Sequence, residues 1–221
     1  ETRLIALTNP NNPTGALIER PMLEAIVEIA RGVGAYVLCD EVYRGTGQTG
    51  DGITASIVDI YENGIATAGM SKAYSLAGLR VGWIVAPKDV TEKVLIHRDY
   101  DTISVGAIND HFATMALECK DKILARSQKI TRGNLAILDA WVTNQPRISW
   151  VKPTAGTTAM LKVDVPMTTR AFCVDLLKQT GVMLTPGDAF EMDEYVRIGY
   201  ANSTDVLVAG LDRIDAYLAN F

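Results

Sequence analysis

Apolar residues fall along the chain in short runs and helical stripes that alternate. Arg3-Leu-Ile-Ala-Leu-Thr8 holds a continuous apolar run of strand length. From Pro21 the period changes: Leu23, Ile26, Val27 and Ala30 share one helical face, and Glu24, Glu28 and Arg31 lie off it. Pro21 suits a first helical turn, and Gly32 and Gly34 end the pattern. Ala35–Cys39 is a second strand, so the chain opens with a βαβ unit whose strands should be parallel. Ile65–Ala68 and Val81–Ala86 are further strands. The twelve residues between them are barely enough for a parallel crossover, which makes an antiparallel pair the expectation.

Helical spacing follows over Asp89–Arg98, Asn109–Cys119 and Asp121–Val142, and Gln145-Pro146 closes the last of these. The pattern then resets. Ile148–Val151, Thr157–Val163, Val182–Thr185 and Tyr195–Tyr200 are short strands, with a helix over Thr168–Gln179. A final helix carries Leu207, Leu211, Ile214 and Leu218 on one face, with Asn202 or Ser203 as its N-cap. This places an α/β domain over residues 1–144 and a small α+β domain over 145–221, with the boundary near Asn144. The stretch Gly45–Gly52 has four glycines and is expected to be a mobile loop.

Composition narrows the function classes. A net charge of -5 and no Lys/Arg run argue against nucleic-acid binding. No apolar run approaches the roughly 20 residues of a membrane span, so no membrane partner is expected. Cys39, Cys119 and Cys173 form no CxxC or metal spacing and are expected to be reduced thiols in a cytoplasmic protein. The chain does not begin with Met, and its first residues have the pattern of an interior strand, so a piece of a longer protein is expected.

The chemistry centres on Ala68-Gly-Met-Ser-Lys-Ala-Tyr-Ser-Leu-Ala-Gly-Leu-Arg-Val-Gly82. Lys72 follows a strand end in apolar surroundings and is a candidate nucleophilic amine. Arg80 is suited to hold a phosphate through paired hydrogen bonds. A surface lysine in a Gly/Ser loop accounts for the same residues. Asp40 and Tyr43 follow a parallel strand, where ligands of open α/β sheets sit. A carboxylate there would keep a pyridine nitrogen protonated; an ordinary strand-end Asp beside a packed Tyr is the plain alternative. Glu41 should face away from Asp40, so no carboxylate pair is expected.

Five elements occur in order: Asn9-Pro-Asn-Asn-Pro-Thr-Gly15, Cys39-Asp-Glu-Val-Tyr43, Ser71-Lys72, Arg80 and Val196-Arg-Ile-Gly199. Together they resemble the class I/II aminotransferases, the fold-type I enzymes that use pyridoxal 5'-phosphate, and the resemblance runs over the whole chain. It implies an α/β architecture: part of the three-layer, mostly parallel sheet of the large domain, plus the small C-terminal α+β domain. It implies that Lys72 binds the cofactor covalently and then shuttles a proton. By the same resemblance, Asp40 would contact the pyridine nitrogen. It likewise implies that Tyr43 and Asn12 contact the 3'-oxygen, Ser71 and Arg80 the phosphate, and Arg197, with Asn12 close by, the substrate carboxylate. Gly69 departs from the pattern, because many relatives have Ser or Thr there as a phosphate contact.

The resemblance implies amino transfer between an amino acid and a 2-oxo acid by a homodimer, without a metal. A lyase or decarboxylase on the same scaffold, such as a carbon–sulfur β-lyase, uses the same residues. A third reading is the aminotransferase-like sensor domain of a transcription regulator. The family's phosphate loop and ring-stacking aromatic lie upstream of the Asn-Pro-Thr-Gly segment and are absent from these residues. The 221-residue chain alone is therefore expected to bind cofactor weakly and not to transaminate.

Overall fold

The opening strand–helix–strand pattern closes as a parallel pair. β1 (Leu4–Thr8) and β2 (Tyr36–Asp40) run in register from Leu4 opposite Tyr36 to Thr8 opposite Asp40. The crossover is α1 (Arg20–Val33), which buries Leu23, Val27 and Ala30 as its spacing requires. The computed structural model describes residues 1–221. β3 (Gly64–Gly69) pairs in parallel with β2, and β4 (Gly82–Val85) pairs with β3 in the antiparallel sense that the short connection demands. The result is a mixed sheet in the order β1-β2-β3-β4.

Gly69 lies opposite Gly82. A Cβ on Gly69 would come 3.0 Å from the Val81 carbonyl oxygen, and one on Gly82 would come 2.9 Å from that of Ala68. The two backbones approach so closely that a side chain at Gly82 needs a backbone shift and one at Gly69 fits only if the strand gives by a few tenths of an ångström. Leu23, Val27, Val37, Cys39, Ile57 and Ala66 form the core beside this sheet. Burial first, then the Glu41 charge, pushes the Cys39 thiol up to about 12, which leaves it inert. Three helices follow: α2 (Lys88–Asp101), which buries no residue, α3 (Ala107–Glu118) and α4 (Lys120–Asn144). No helix is long and apolar enough to cross a membrane.

The second sheet is antiparallel, in the order β5-β6-β8-β7. It consists of β5 (Ile148–Trp150), β6 (Thr158–Val163), β7 (Thr185–Pro186) and β8 (Tyr195–Gly199). α5 (Thr169–Thr180) and α6 (Thr204–Leu218) complete this part of the chain. The strand expected over Val182–Thr185 is instead Thr185–Pro186, and residues 182–184 lie outside the ladder.

Contacts divide the chain into one unit of Glu1–Asn11 with Ala16–Gln128 and a second of Asn12–Gly15 with Lys129–Phe221. The division thus falls inside α4, earlier than the expected Asn144. Leu135, Leu138 and Val142 of that helix already belong to the second core. Asn12–Gly15 joins the second unit because the Gly15 carbonyl accepts from the N–H groups of Thr154 and Ala155, each at 3.0 Å. Thr158 Oγ1 also donates to the Pro13 carbonyl at 3.2 Å. At φ +70°, Gly15 sits where a Cβ would come 2.4 Å from Pro153 Cβ.

Asn134 is fully buried on α4, an unusual place for an amide unless its hydrogen bonds are made. Its Nδ2 donates to the carbonyls of Tyr200 and Asn202, both at 2.8 Å, and its Oδ1 accepts from Thr204 Oγ1 at 2.8 Å. The side chain thereby ties the end of β8 to the start of α6. Asn134→Ala removes all three bonds at once and should cost about 3 kcal/mol. A lower urea midpoint at unchanged m would be the measured result.

Candidate active site

Asp40 ends β2, and Lys72 follows the end of β3, the adjacent parallel strand. Asp40 Oδ1 accepts from the Val42 N–H at 3.1 Å and from Thr67 Oγ1 at 3.3 Å. Thr67 is its partner in the β2–β3 register. Both bonds land on one carboxylate oxygen, and Oδ2 remains for a further donor. Tyr43 is buried, and the Lys72 ammonium lies 6.0 Å from the centroid of its ring. The Lys72 side chain is exposed, which corrects the expectation of an apolar enclosure.

The loop that carries Lys72 is held at several points. Met70 N–H donates to the Val81 carbonyl, Leu76 N–H to that of Met70, and Ser75 N–H to that of Lys72. Ser75 Oγ also lies 3.1 Å from Ser127 Oγ on α4. Arg80 adopts φ 51°. Its Nη1 donates to the Ala77 carbonyl at 3.0 Å and lies 3.5 Å from Ser71 Oγ. Lys72 is thus beside Tyr43, and Arg80 beside Ser71. The Gly45–Gly52 stretch is also tied down. Gln128 Nε2 donates to the carbonyls of Gly45 and Asp51, and Gly45, Thr46, Gly47 and Gly52 are buried.

In the second unit, Arg197 lies on β8. Its Nη1 donates to Asn12 Oδ1 at 3.2 Å, and its Nη2 donates to Thr185 Oγ1 at 3.3 Å. The guanidinium carbon lies 5.0 Å from the centroid of the Phe190 ring. Asn12 and Arg197, each expected near the substrate carboxylate, are in direct contact.

Glu41 is a residue whose importance the sequence reading missed. It is buried, and its Oε1 accepts from Ser56 Oγ at 2.9 Å and from the Ile57 N–H at 2.8 Å. Its own N–H donates to the Thr67 carbonyl and its carbonyl accepts from the Arg44 N–H. Glu41 therefore clamps the turn that joins Asp40 to Tyr43. The only signal in the sequence was a carboxylate directly after an apolar strand.

Burial raises the Glu41 pKa above its ordinary 4.5, against hydrogen bonds from Ile57 and Ser56 and the nearby Arg44 charge. A raised folded-state value means that its contribution to stability is fully present below about pH 4.5 and is lost as pH rises through the folded value. Glu41→Gln keeps the Oε1 acceptor and removes the titration. The stability difference, variant minus wild type, should therefore rise with pH across that window. Thermal melts of both proteins between pH 4 and pH 8 would measure it.

The family model described as aminotransferase class I and II matches residues 1–213. The chain belongs to the class I and II aminotransferase family. An aspartate aminotransferase of Thermotoga maritima is 29% identical over 99% of this chain and is covered over 56% of its own length. Capreomycidine synthase of Streptomyces vinaceus is 27% identical, with 98% of this chain and 56% of that protein covered. A solved pyridoxal phosphate-dependent aminotransferase from Streptococcus suis 89-1591 matches with a TM-score of 0.95 and 42% identity. That match covers 100% of this chain and 58% of the solved one. The chain thus spans a little over half the length of the family members it matches.

Proposed function

We propose that this chain supplies the cofactor lysine and the carboxylate-binding arginine of a pyridoxal 5'-phosphate-dependent aminotransferase. The whole protein transfers an amino group between an amino acid and a 2-oxo acid. The observation that carries the reading is the Lys72–Tyr43 pair at the strand ends, with the open Oδ2 of Asp40 on the neighbouring strand.

The donor set fits the cofactor. Asp40 Oδ2 has room for a pyridinium N–H, the Tyr43 phenol is a donor for the 3'-oxygen, and Ser71 with Arg80 presents a hydroxyl and a cation to phosphate. Held by these residues, the cofactor would supply an electrophilic carbonyl carbon and a ring that draws electron density from the substrate's α-carbon. Asp40 keeps the ring nitrogen protonated. Lys72, once its amine is free, would take the proton from the substrate α-carbon as general base and, as general acid, would give it to the cofactor carbon that bears the transferred amino group. Arg197 grips the α-carboxylate through two parallel N–H bonds, with Asn12 steadying the guanidinium.

Expected partners are a second copy of the chain and the two small acids, in the cytoplasm. A second reading, a different bond cleavage on the same residues, is favoured by the similarity to a protein named as a synthase rather than a transaminase. Borohydride reduction of the cofactor-loaded protein, followed by peptide mass mapping, tests the assignment. A pyridoxyl group on Lys72 is expected; the label on another lysine would remove the basis of the reading. Amino transfer to 2-oxoglutarate from a panel of amino acids separates the two reactions.

A further inference from the structure

Arg197 is held on three sides, by Asn12, Thr185 and Phe190. We propose that Thr185 and Phe190 are positioning residues that hold the Arg197 guanidinium in one plane and one rotation before any carboxylate arrives. The proposal rests on the reading of Arg197 as the carboxylate-binding residue.

The sheet aims the Thr185 hydroxyl. Thr185 lies directly opposite Arg197 in the β7–β8 register, and cross-strand partners keep their side chains together. Thr185 is β-branched, so few χ1 rotamers are open to it. Its Oγ1 takes one N–H of Nη2 at 3.3 Å while Asn12 Oδ1 takes one of Nη1 at 3.2 Å. Each terminal nitrogen is therefore tied, and the guanidinium cannot turn about its Nε–Cζ bond without breaking both. Three of its five N–H groups remain, and a bidentate carboxylate needs two.

Phe190 fixes the plane. It ends the short 3-10 turn Gly187–Phe190, which begins directly after β7. Its ring faces the guanidinium at 5.0 Å, a distance at which cation and ring attract. With the guanidinium carbon over the ring, the remaining N–H groups are the ones a carboxylate would take. A fork held in this way loses less conformational freedom on binding than a free arginine does.

The test uses the cofactor-loaded protein and 2-methylalanine, an amino acid without an α-hydrogen, as a probe that binds without proton abstraction. Calorimetry gives the probe Kd for wild type, Thr185→Val, Thr185→Ser, Phe190→Leu and Arg197→Lys. Nitrogen NMR of the arginine side chains reports whether the Nη1 and Nη2 signals of Arg197 stay distinct. Thr185→Val should weaken the probe about fivefold, with cofactor affinity unchanged, and merge the two Nη signals. Thr185→Ser, which restores the hydroxyl, should return binding to within about twofold, and Phe190→Leu should weaken it about threefold.

Wild-type probe binding in Thr185→Val with distinct Nη signals would overturn the proposal and leave Arg197's own role intact. Wild-type probe binding in Arg197→Lys would overturn the carboxylate reading itself, and the proposal with it.

Discussion

Lys72→Ala is expected to abolish amino transfer. The side chain has two roles under the proposed function, and alanine removes both. Loss of a positioned proton-transfer group alone costs about 10²–10⁴ in rate, and the loss of covalent attachment comes on top. The surrounding loop should stand without it. Its hydrogen bonds run through backbone groups of Met70, Lys72, Ser75 and Leu76 and through the Ser75–Ser127 hydroxyl pair. The Lys72 ammonium makes only the ring contact with Tyr43. The variant should therefore fold with a wild-type circular dichroism spectrum and melt. Single-turnover amino transfer within tenfold of wild type would show that another amine carries the chemistry.

Asp40→Asn should have the next largest effect, about 10²–10³ in turnover. Asparagine keeps the shape, and through its Oδ1 it keeps the bonds from the Val42 N–H and Thr67 Oγ1. It replaces the open oxygen with an amide or a neutral acceptor, which stabilises a protonated ring nitrogen far less than a carboxylate does. The fold should survive, and cofactor should still bind through Ser71, Arg80 and Lys72. Near-normal turnover in a variant that retains its cofactor would remove Asp40 from the mechanism. Asp40→Ala is the blunter experiment, because it also leaves the Val42 and Thr67 donors without their partner.

Much of this chain is legible locally. The stripe of Leu23, Val27 and Ala30 specifies α1, because a helix brings residues of that spacing to one face. The length between Ala68 and Val81 decides that β4 runs antiparallel to β3. Asp40 and Lys72 could be singled out because both follow apolar strand-length runs, and in a parallel pair such ends lie at the same edge of the sheet. The strand at Val182–Thr185 was misjudged: its apolar residues read as a ladder, but of that stretch only Thr185 pairs with β8, and the chain turns into the 3-10 segment Gly187–Phe190 directly after Pro186.

Other features depend on contacts that no window of sequence contains. Glu41 looked like an outward-facing neighbour of Asp40 by strand alternation. The chain leaves the strand at that point, so its carboxylate turns instead to the Ser56 hydroxyl and the Ile57 N–H and is buried. The glycine-rich stretch 45–52 looked unconstrained until Gln128 reached it from α4.

By itself the sequence determined most of the elements, the parallel and antiparallel sense of the first sheet, and the side chains on which the cofactor reading rests. Periodicity, connection length and side-chain chemistry are local properties. The tertiary structure alone decided that Asn12–Gly15 packs with the second unit, that Asn12 meets Arg197, and that Thr185 and Phe190 enclose the same guanidinium. The Asn12–Arg197 bond joins residues 185 positions apart. Its existence depends on the packing of everything that lies between them.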